Sequence, residues 1–234
     1  MRIKNPEKRL TRYWGQVDGK YTALISAWVK GQRVLDIGCG YGTTTSCIAV
    51  QHPGVECIGI DYDPAVVERA TTLYPTGNFR VENGECLSFE NQSFDTLIMR
   101  DALHHLYREA DFGKITREVK RVIKKNGRLI ILDPNVNFLL RTLRFLAAHQ
   151  DEQCSYEEAL RMLAALPATI VHREFNTVID LPLSGGYVGV DFIPPYPALY
   201  KLVSGGERAA TRLVTRLGLG RSVCLRYFLV ADFE

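Results

Sequence analysis

LDIGCGYG, Leu35 to Gly42, sets three glycines at alternate positions directly after the short apolar run RVLDI. An apolar run of that length bounded by glycine reads as a buried strand. TTTSCIAVQH, Thr43 to His52, comes next as a helix that Pro53 stops. A turn so bare between strand and helix lets a ligand approach the backbone with no Cβ in the way. The amides that open the helix favour negative or electron-rich groups.

The same alternation extends outward from this turn. VECIGID is a second apolar strand. Asp63 and Pro64 then start a helix, the carboxylate capping it and the proline taking the first helical position. NFRVENG holds a third short strand and FDTLIMR a fourth. ITREVKRVIKKNG puts Ile115, Val119, Val122 and Ile123 on one helical face, with lysines in the last turn and Gly127 as the stop. RLIILDP is a fifth strand. Continuous apolar strands alternating with helices indicate a doubly wound parallel sheet. Such sheets bind ligands at the carboxyl ends of their strands.

Beyond Pro134 the character changes. NFLLRTLRFLAAHQ and SYEEALRMLAAL read as amphipathic helices, the second opened by a capping box of Ser155 and Glu158. TVIDL is a candidate sixth strand, and SVCLRYFLVADF a seventh. The expected fold is α/β: a doubly wound seven-stranded mixed sheet with a helical cap inserted after strand five. The chain reads as one domain over 1–234. It divides into an N-terminal lid helix (1–32), a cofactor-binding core (33–134), a helical insertion (135–172) and C-terminal strands and helix (173–234).

Composition sets outer bounds. The chain is 46% hydrophobic and 24% charged with net charge +3, which suits a globular domain and gives no case for nucleic acid as partner. None of the six cysteines forms a CxxC pair, so no metal site is expected, and free thiols point to a reducing, cytoplasmic setting. The charged start, MRIKNPEKRLTRYWGQ, is unlike a signal peptide. No apolar run approaches the roughly 20 residues of a spanning helix.

The glycine spacing separates two ligand classes. Dinucleotide sites use GxGxxG. Here Gly38, Gly40 and Gly42 give GxGxG, and the third position of the other pattern falls on Thr43. Asp36, two residues before Gly38, is ill placed beside a pyrophosphate but well placed for a sulfonium ligand with an amino group. With LDIGCGYG as its first motif, the stretch from about Val34 to Pro134 resembles class I S-adenosylmethionine-dependent methyltransferases. That resemblance implies a Rossmann-like methyltransferase fold, S-adenosylmethionine as cofactor and a small-molecule acceptor. It implies that Asp36, Gly38, Cys39 and Gly40 hold the methionine end. Asp61, ending CIGID, would accept the ribose hydroxyls, with Tyr62 lining the adenine pocket. Asn83 and Gly84 of VENGECLSF, with Glu85 adjacent, would edge the adenine, although the family more often has Asp where Asn83 stands.

NQSFDTLIMRDALHHL is similar to the family's fourth strand and its exit. Arg100 would sit beside the methionine, offering its backbone rather than its charge. His104 and His105 start the next helix, and either is a candidate base if the acceptor is an oxygen. Cys39 fits the loop by its small size and is not a nucleophile. IPPYP, Ile193 to Pro197, contains the PPY of DNA amino-methyltransferases, but it comes after the sixth strand rather than the fourth, so adenine-N6 chemistry is rejected.

The expected activity is methyl transfer to a small acceptor, apolar or lipid-like, with oxygen ahead of nitrogen or carbon. Phe138, Leu139, Leu140, Phe145, Leu146, Phe192, Tyr196, Leu199 and Tyr200 either pack the cap on the core or line an acceptor pocket. Tyr13, Trp14 and Tyr21 serve a lid or packing. Arg208, Arg212 and Arg216 share one helix face. Such a face is usually solvated, but it also suits an anionic group or a membrane surface. Two other readings stay open: a nicotinamide-dependent oxidoreductase, and a non-catalytic S-adenosylmethionine-binding protein.

Overall fold

The computed structural model describes residues 13–109, 111–146, 155–183, 193–194 and 196–234. Phe192 and Pro195, and the side chains of Trp14, Phe145 and Leu146, lie outside the described set. Helix α1 (Tyr13–Ser26) leads into β1 (Arg33–Ile37), α2 (Thr43–Gln51), β2 (Glu56–Asp61), α3 (Pro64–Leu73), β3 (Asn78–Val81) and β4 (Phe94–Arg100). Then come α4 (Leu103–Glu109), α5 (Phe112–Val122), β5 (Ile123–Pro134), α6 (Phe138–Leu146), α7 (Tyr156–Ala164) and β6 (Ala168–Asn176). The chain closes through α8 (Asp180–Leu183), α9 (Pro197–Arg216), α10 (Gly220–Val223) and β7 (Arg226–Phe233).

The strands form one seven-stranded sheet in the order β3-β2-β1-β4-β5-β7-β6. The first five pair in parallel, with Asp36 opposite Gly59 on one side and Ile98 on the other. β7 runs against its neighbours. Arg128, early in β5, bonds Asp232 near the end of β7, while Asn135, just past β5, bonds Leu225 just before β7. Thr177 and Pro167 meet Leu225 and Glu234 in the same reversed sense. The sheet is therefore mixed, as expected. Val34, Leu35, Ile58, Ile60, Leu97 and Ile130 are buried, which is why the central strands read as unbroken apolar runs. The order reverses between β1 and β4, so the crevice beyond their carboxyl ends is where a ligand belongs.

The local signals at α3 and α7 hold. The Asp63 carboxylate accepts the Ala65 N–H, and Ser155 with Glu158 forms a complete capping box. Two boundaries differ from the sequence reading. Helix α5 stops at Val122, and Ile123 already has extended backbone (φ −74°, ψ 140°) and opens β5. Pairing then jumps from Phe94–Ile123 to Thr96–Arg128, a bulge in which Asn126 turns left-handed (φ 60°). Gly127 is the pivot of that bulge rather than a helix stop: a Cβ there would lie 2.7 Å from Ile123 Cγ1. The sixth strand is ATIVHREFN, not TVIDL. Thr177 turns left-handed (φ 68°), and Asp180–Leu183 forms the short α8.

Two compact units divide the chain. One comprises Leu24–Asp133, Gln153–Arg173 and Phe228–Glu234, and holds most of the sheet. The other comprises Met1–Ala23, Pro134–Glu152 and Glu174–Tyr227. Within the second, the buried Glu207 carboxylate accepts the N–H groups of Val178, Ile179 and Asp180. Asp180 in turn accepts the Tyr13 hydroxyl at 2.6 Å and pairs with Lys20 at 3.1 Å.

Candidate active site

The residues singled out for cofactor and chemistry, from Asp36 to His105, all lie in the first unit. Gly38, Gly40 and Gly42 have φ of 74°, 54° and 81°. A residue with a Cβ pays about 1–2 kcal/mol in that left-handed region. Their surroundings differ. A Cβ at Gly38 would stand 2.6 Å from the Ala102 Cβ, and one at Gly42 would stand 2.5 Å from the Phe79 ring. At Gly40 nothing lies within 4 Å. The outer two glycines are required by the protein's own packing, and the middle one faces open space. No side chain caps α2 at Gly42, which leaves its opening amides to solvent or ligand.

Asp61 ties the turn to the end of β2. Its Oδ2 accepts the Gly40 N–H at 3.1 Å, and its Oδ1 accepts the Asp63 N–H at 3.2 Å. Each oxygen is thereby fixed in direction and keeps a lone pair for a further donor. Tyr62, next in the chain, is 68% exposed.

Asp36 lies deeper. It is buried and accepts the Thr45 hydroxyl at 2.6 Å. Burial pushes its carboxyl up to about 6, against the opposing pull of Thr45 and Arg100. The Arg100 side chain is buried too, donating to Thr44 Oγ1 at 3.0 Å with its Nε 3.7 Å from Asp101. The guanidinium therefore reaches the first turn of α2. Asp101 itself is left-handed (φ 53°), a strained conformation for a non-glycine residue at a strand exit. Burial, with Asp36 and Asp61 nearby, pushes the Cys39 thiol up, so it keeps its proton and is no nucleophile.

The adenine-side residues are less convergent. Asn83 is exposed, and its side-chain oxygen accepts the Glu85 N–H at 2.9 Å. A Cβ at Gly84 would meet Ile115 Cδ1 at 3.0 Å. Glu85 takes another direction: its carboxylate accepts the Asp111 N–H at 2.7 Å and pairs with Lys114 at 3.1 Å. It fastens the start of α5.

The two histidines differ in burial, although their ring centroids lie 4.2 Å apart. His105 is exposed, whereas His104 is buried with Nδ1 3.1 Å and 3.3 Å from the two carboxylate oxygens of Asp133. Asp133 is fully buried at the end of β5. Sequence reasoning misses it. The available signal is its place in RLIILDP, a strand-end acid matching Asp61 at the end of β2. Together His104 and Asp133 make a carboxylate-oriented imidazole. Among the described residues, no group of three or more His, Cys, Asp or Glu could hold a metal ion.

Comparison with known proteins adds three findings. Residues 35–131 match the family model described as a methyltransferase domain. The 2-methyl-6-phytyl-1,4-hydroquinone methyltransferase of Synechocystis is 38% identical over 108 residues, covering 45% of this chain and 33% of that protein. The uncharacterized methyltransferase YcgJ of Bacillus subtilis is 40% identical over 106 residues, covering 43% of this chain and 40% of that protein. The matched region thus spans a third to two fifths of these relatives' length. The solved YcgJ structure superposes with a TM-score of 0.60 at 22% identity, covering 92% of this chain and 98% of that one. Geranyl diphosphate C-methyltransferase from Streptomyces coelicolor superposes with a TM-score of 0.67 at 13% identity, covering 94% and 82%. At these identities the superpositions establish a shared fold.

Proposed function

We propose that the protein, whose residues 35–131 match the methyltransferase domain model, transfers a methyl group from S-adenosylmethionine to a small apolar acceptor, with oxygen as the favoured acceptor atom. One observation carries the reading. Of the three turn glycines, Gly40 alone has nothing within 4 Å of its Cβ position, and its N–H is held by Asp61. That geometry leaves the Gly40 backbone open to a ligand, beside a carboxylate with lone pairs to spare.

The residues present fit the cofactor. Asp61 accepts the ribose hydroxyls, a charge-assisted geometry. Gly38, Cys39 and Gly40 present bare backbone to the methionine end. Asp36 supplies negative charge behind the turn, and Arg100 keeps part of that charge ionised. Tyr62, Asn83 and Gly84 edge the adenine. Glu85 serves the site indirectly, by holding α5 in place. When bound, S-adenosylmethionine supplies an electrophilic methyl group and a neutral thioether leaving group.

The protein contributes alignment, and for an acceptor hydroxyl it contributes a base. Asp133 holds the proton on His104 Nδ1, which leaves Nε2 free to take the hydroxyl proton. This pair supports oxygen over an acceptor that loses no proton. The apolar class of acceptor is supported by the relative named for a phytyl hydroquinone.

The test is thermal melting with S-adenosylmethionine, S-adenosylhomocysteine and NAD, in wild type and Asp61→Ala. A ligand at a hundredfold excess over its dissociation constant adds about 2.7 kcal/mol of stability. Both sulfur ligands should raise the melting temperature of the wild type, and Asp61→Ala should abolish the rise. Protection by NAD alone would replace the reading with a nicotinamide enzyme. An acceptor panel of phenols, amines and activated carbons then identifies the atom methylated.

A further inference from the structure

Helix α9 carries two rows of side chains on its outer face. Tyr200 and Glu207 point inward and are buried. Lys201, Arg208, Arg212 and Arg216 are exposed and fall in one row, spanning about 80° at 100° per residue. Beside it runs a second row. Leu202, Leu213 and Leu217 are 71%, 59% and 62% exposed. Three times a leucine stands directly after a cation, at 201–202, 212–213 and 216–217.

The only acid on this helix is Glu207, whose carboxylate is committed to the backbone at 178–180 and to the Thr211 hydroxyl. The cation row therefore has no acidic counterpart on its own helix. Large leucines in water are unfavourable, and several exposed on one side of a helix mark a contact surface.

We propose that the outer face of α9 docks on an anionic lipid bilayer. Leucines beside cations match the boundary between acyl chains and phosphates: the leucines enter the apolar side while the guanidinium groups meet the headgroups. A second copy of this face would set cations against cations. No described helix is long and apolar enough to cross a membrane, so the contact lies on the surface. This inference rests on α9 alone and stands apart from the methyl-transfer reading.

The test is co-sedimentation with phosphatidylcholine vesicles, with and without phosphatidylglycerol. Binding should require the anionic lipid and weaken with added salt. Each Arg→Gln change at 208, 212 or 216 should weaken it about fivefold, and the triple change about a hundredfold. Leu213→Ser with Leu217→Ser should weaken it at least about tenfold. All these positions are exposed, so the variants keep the fold, which circular dichroism checks. Absence of binding to anionic vesicles at low salt would overturn the proposal. So would a loss in the arginine variants alone, reproduced on polyglutamate, because that marks an acidic protein partner. Self-association by light scattering that the leucine variants abolish, with vesicle binding intact, would reassign the face to a second copy.

Discussion

The three turn glycines answer to different neighbours, so their replacement should fail in different ways. Gly38→Ala and Gly42→Ala add left-handed strain to a contact with Ala102 or Phe79. Each should lower stability by about 3 kcal/mol. Gly40→Ala meets no neighbour. It should lower stability by only about 1–2 kcal/mol while weakening S-adenosylmethionine binding at least about tenfold. Melting and calorimetric titration separate the two effects, and unchanged affinity in Gly40→Ala would remove Gly40 from the proposed site. Asp36 gives a pH signature. Its folded carboxyl titrates at about 6 against an ordinary value of 3.8. The folded state thus holds an extra proton between those values, and stability falls as pH rises through that window. Asp36→Asn should flatten the slope and raise stability at neutral pH by at most about 3 kcal/mol, at the expense of cofactor affinity. Urea titrations across that window measure the slope. The glycine pattern and Asp36 are both legible in LDIGCGYG. Which glycine faces open space is not, because Ala102 and Phe79 arrive from distant parts of the chain.

Strand ends set the next level, since β4 and β5 lie side by side and deliver His104 and Asp133 to one place. If the acceptor is a hydroxyl, His104→Ala should lower kcat by about a hundredfold or more with little change in cofactor affinity. Asp133→Asn should also lower kcat, because an amide no longer fixes the proton on Nδ1. His105→Ala, at an exposed position, should be near neutral. Equal kcat in all three variants would move the reaction to an acceptor that loses no proton. The elements delivering these residues read well from sequence wherever one periodicity dominates, as in β1, β2 and β4. The α5–β5 boundary does not, because Ile123 is apolar and buried whether counted in a helix or a strand. β6 is hidden for a related reason: burial alternates over most of ATIVHREFN, and the polar His172, Arg173 and Glu174 break the apolar run that marks the central strands.

At the scale of the molecule the chain passes between its two units at 23/24, 133/134, 152/153, 173/174 and 227/228. The passage at 133/134 shows in the sequence as the change of character at Pro134. The one at 23/24 has no local mark, because it arises from Tyr13 and Lys20 reaching Asp180, at sequence separations of 167 and 160. Glu207 is central to the unit that Tyr13 helps to build. Burial alone would raise its carboxyl, but Thr211 and three backbone N–H groups hold it below the usual range. A depressed carboxyl stabilises the fold above its unfolded value and loses that contribution as acid protonates it. Glu207→Ala leaves those N–H groups without their acceptor and should lower stability by about 3–5 kcal/mol. The amides of Val178, Ile179 and Asp180 should then exchange hydrogen much faster. The residues proposed to hold the cofactor lie in the other unit, so S-adenosylmethionine affinity, measured well below melting, should change less than about threefold. Glu207→Gln, which keeps one carbonyl acceptor, should fall between wild type and alanine in both stability and exchange. A loss of cofactor affinity that tracks the loss of stability across the two variants would show instead that the site depends on both units.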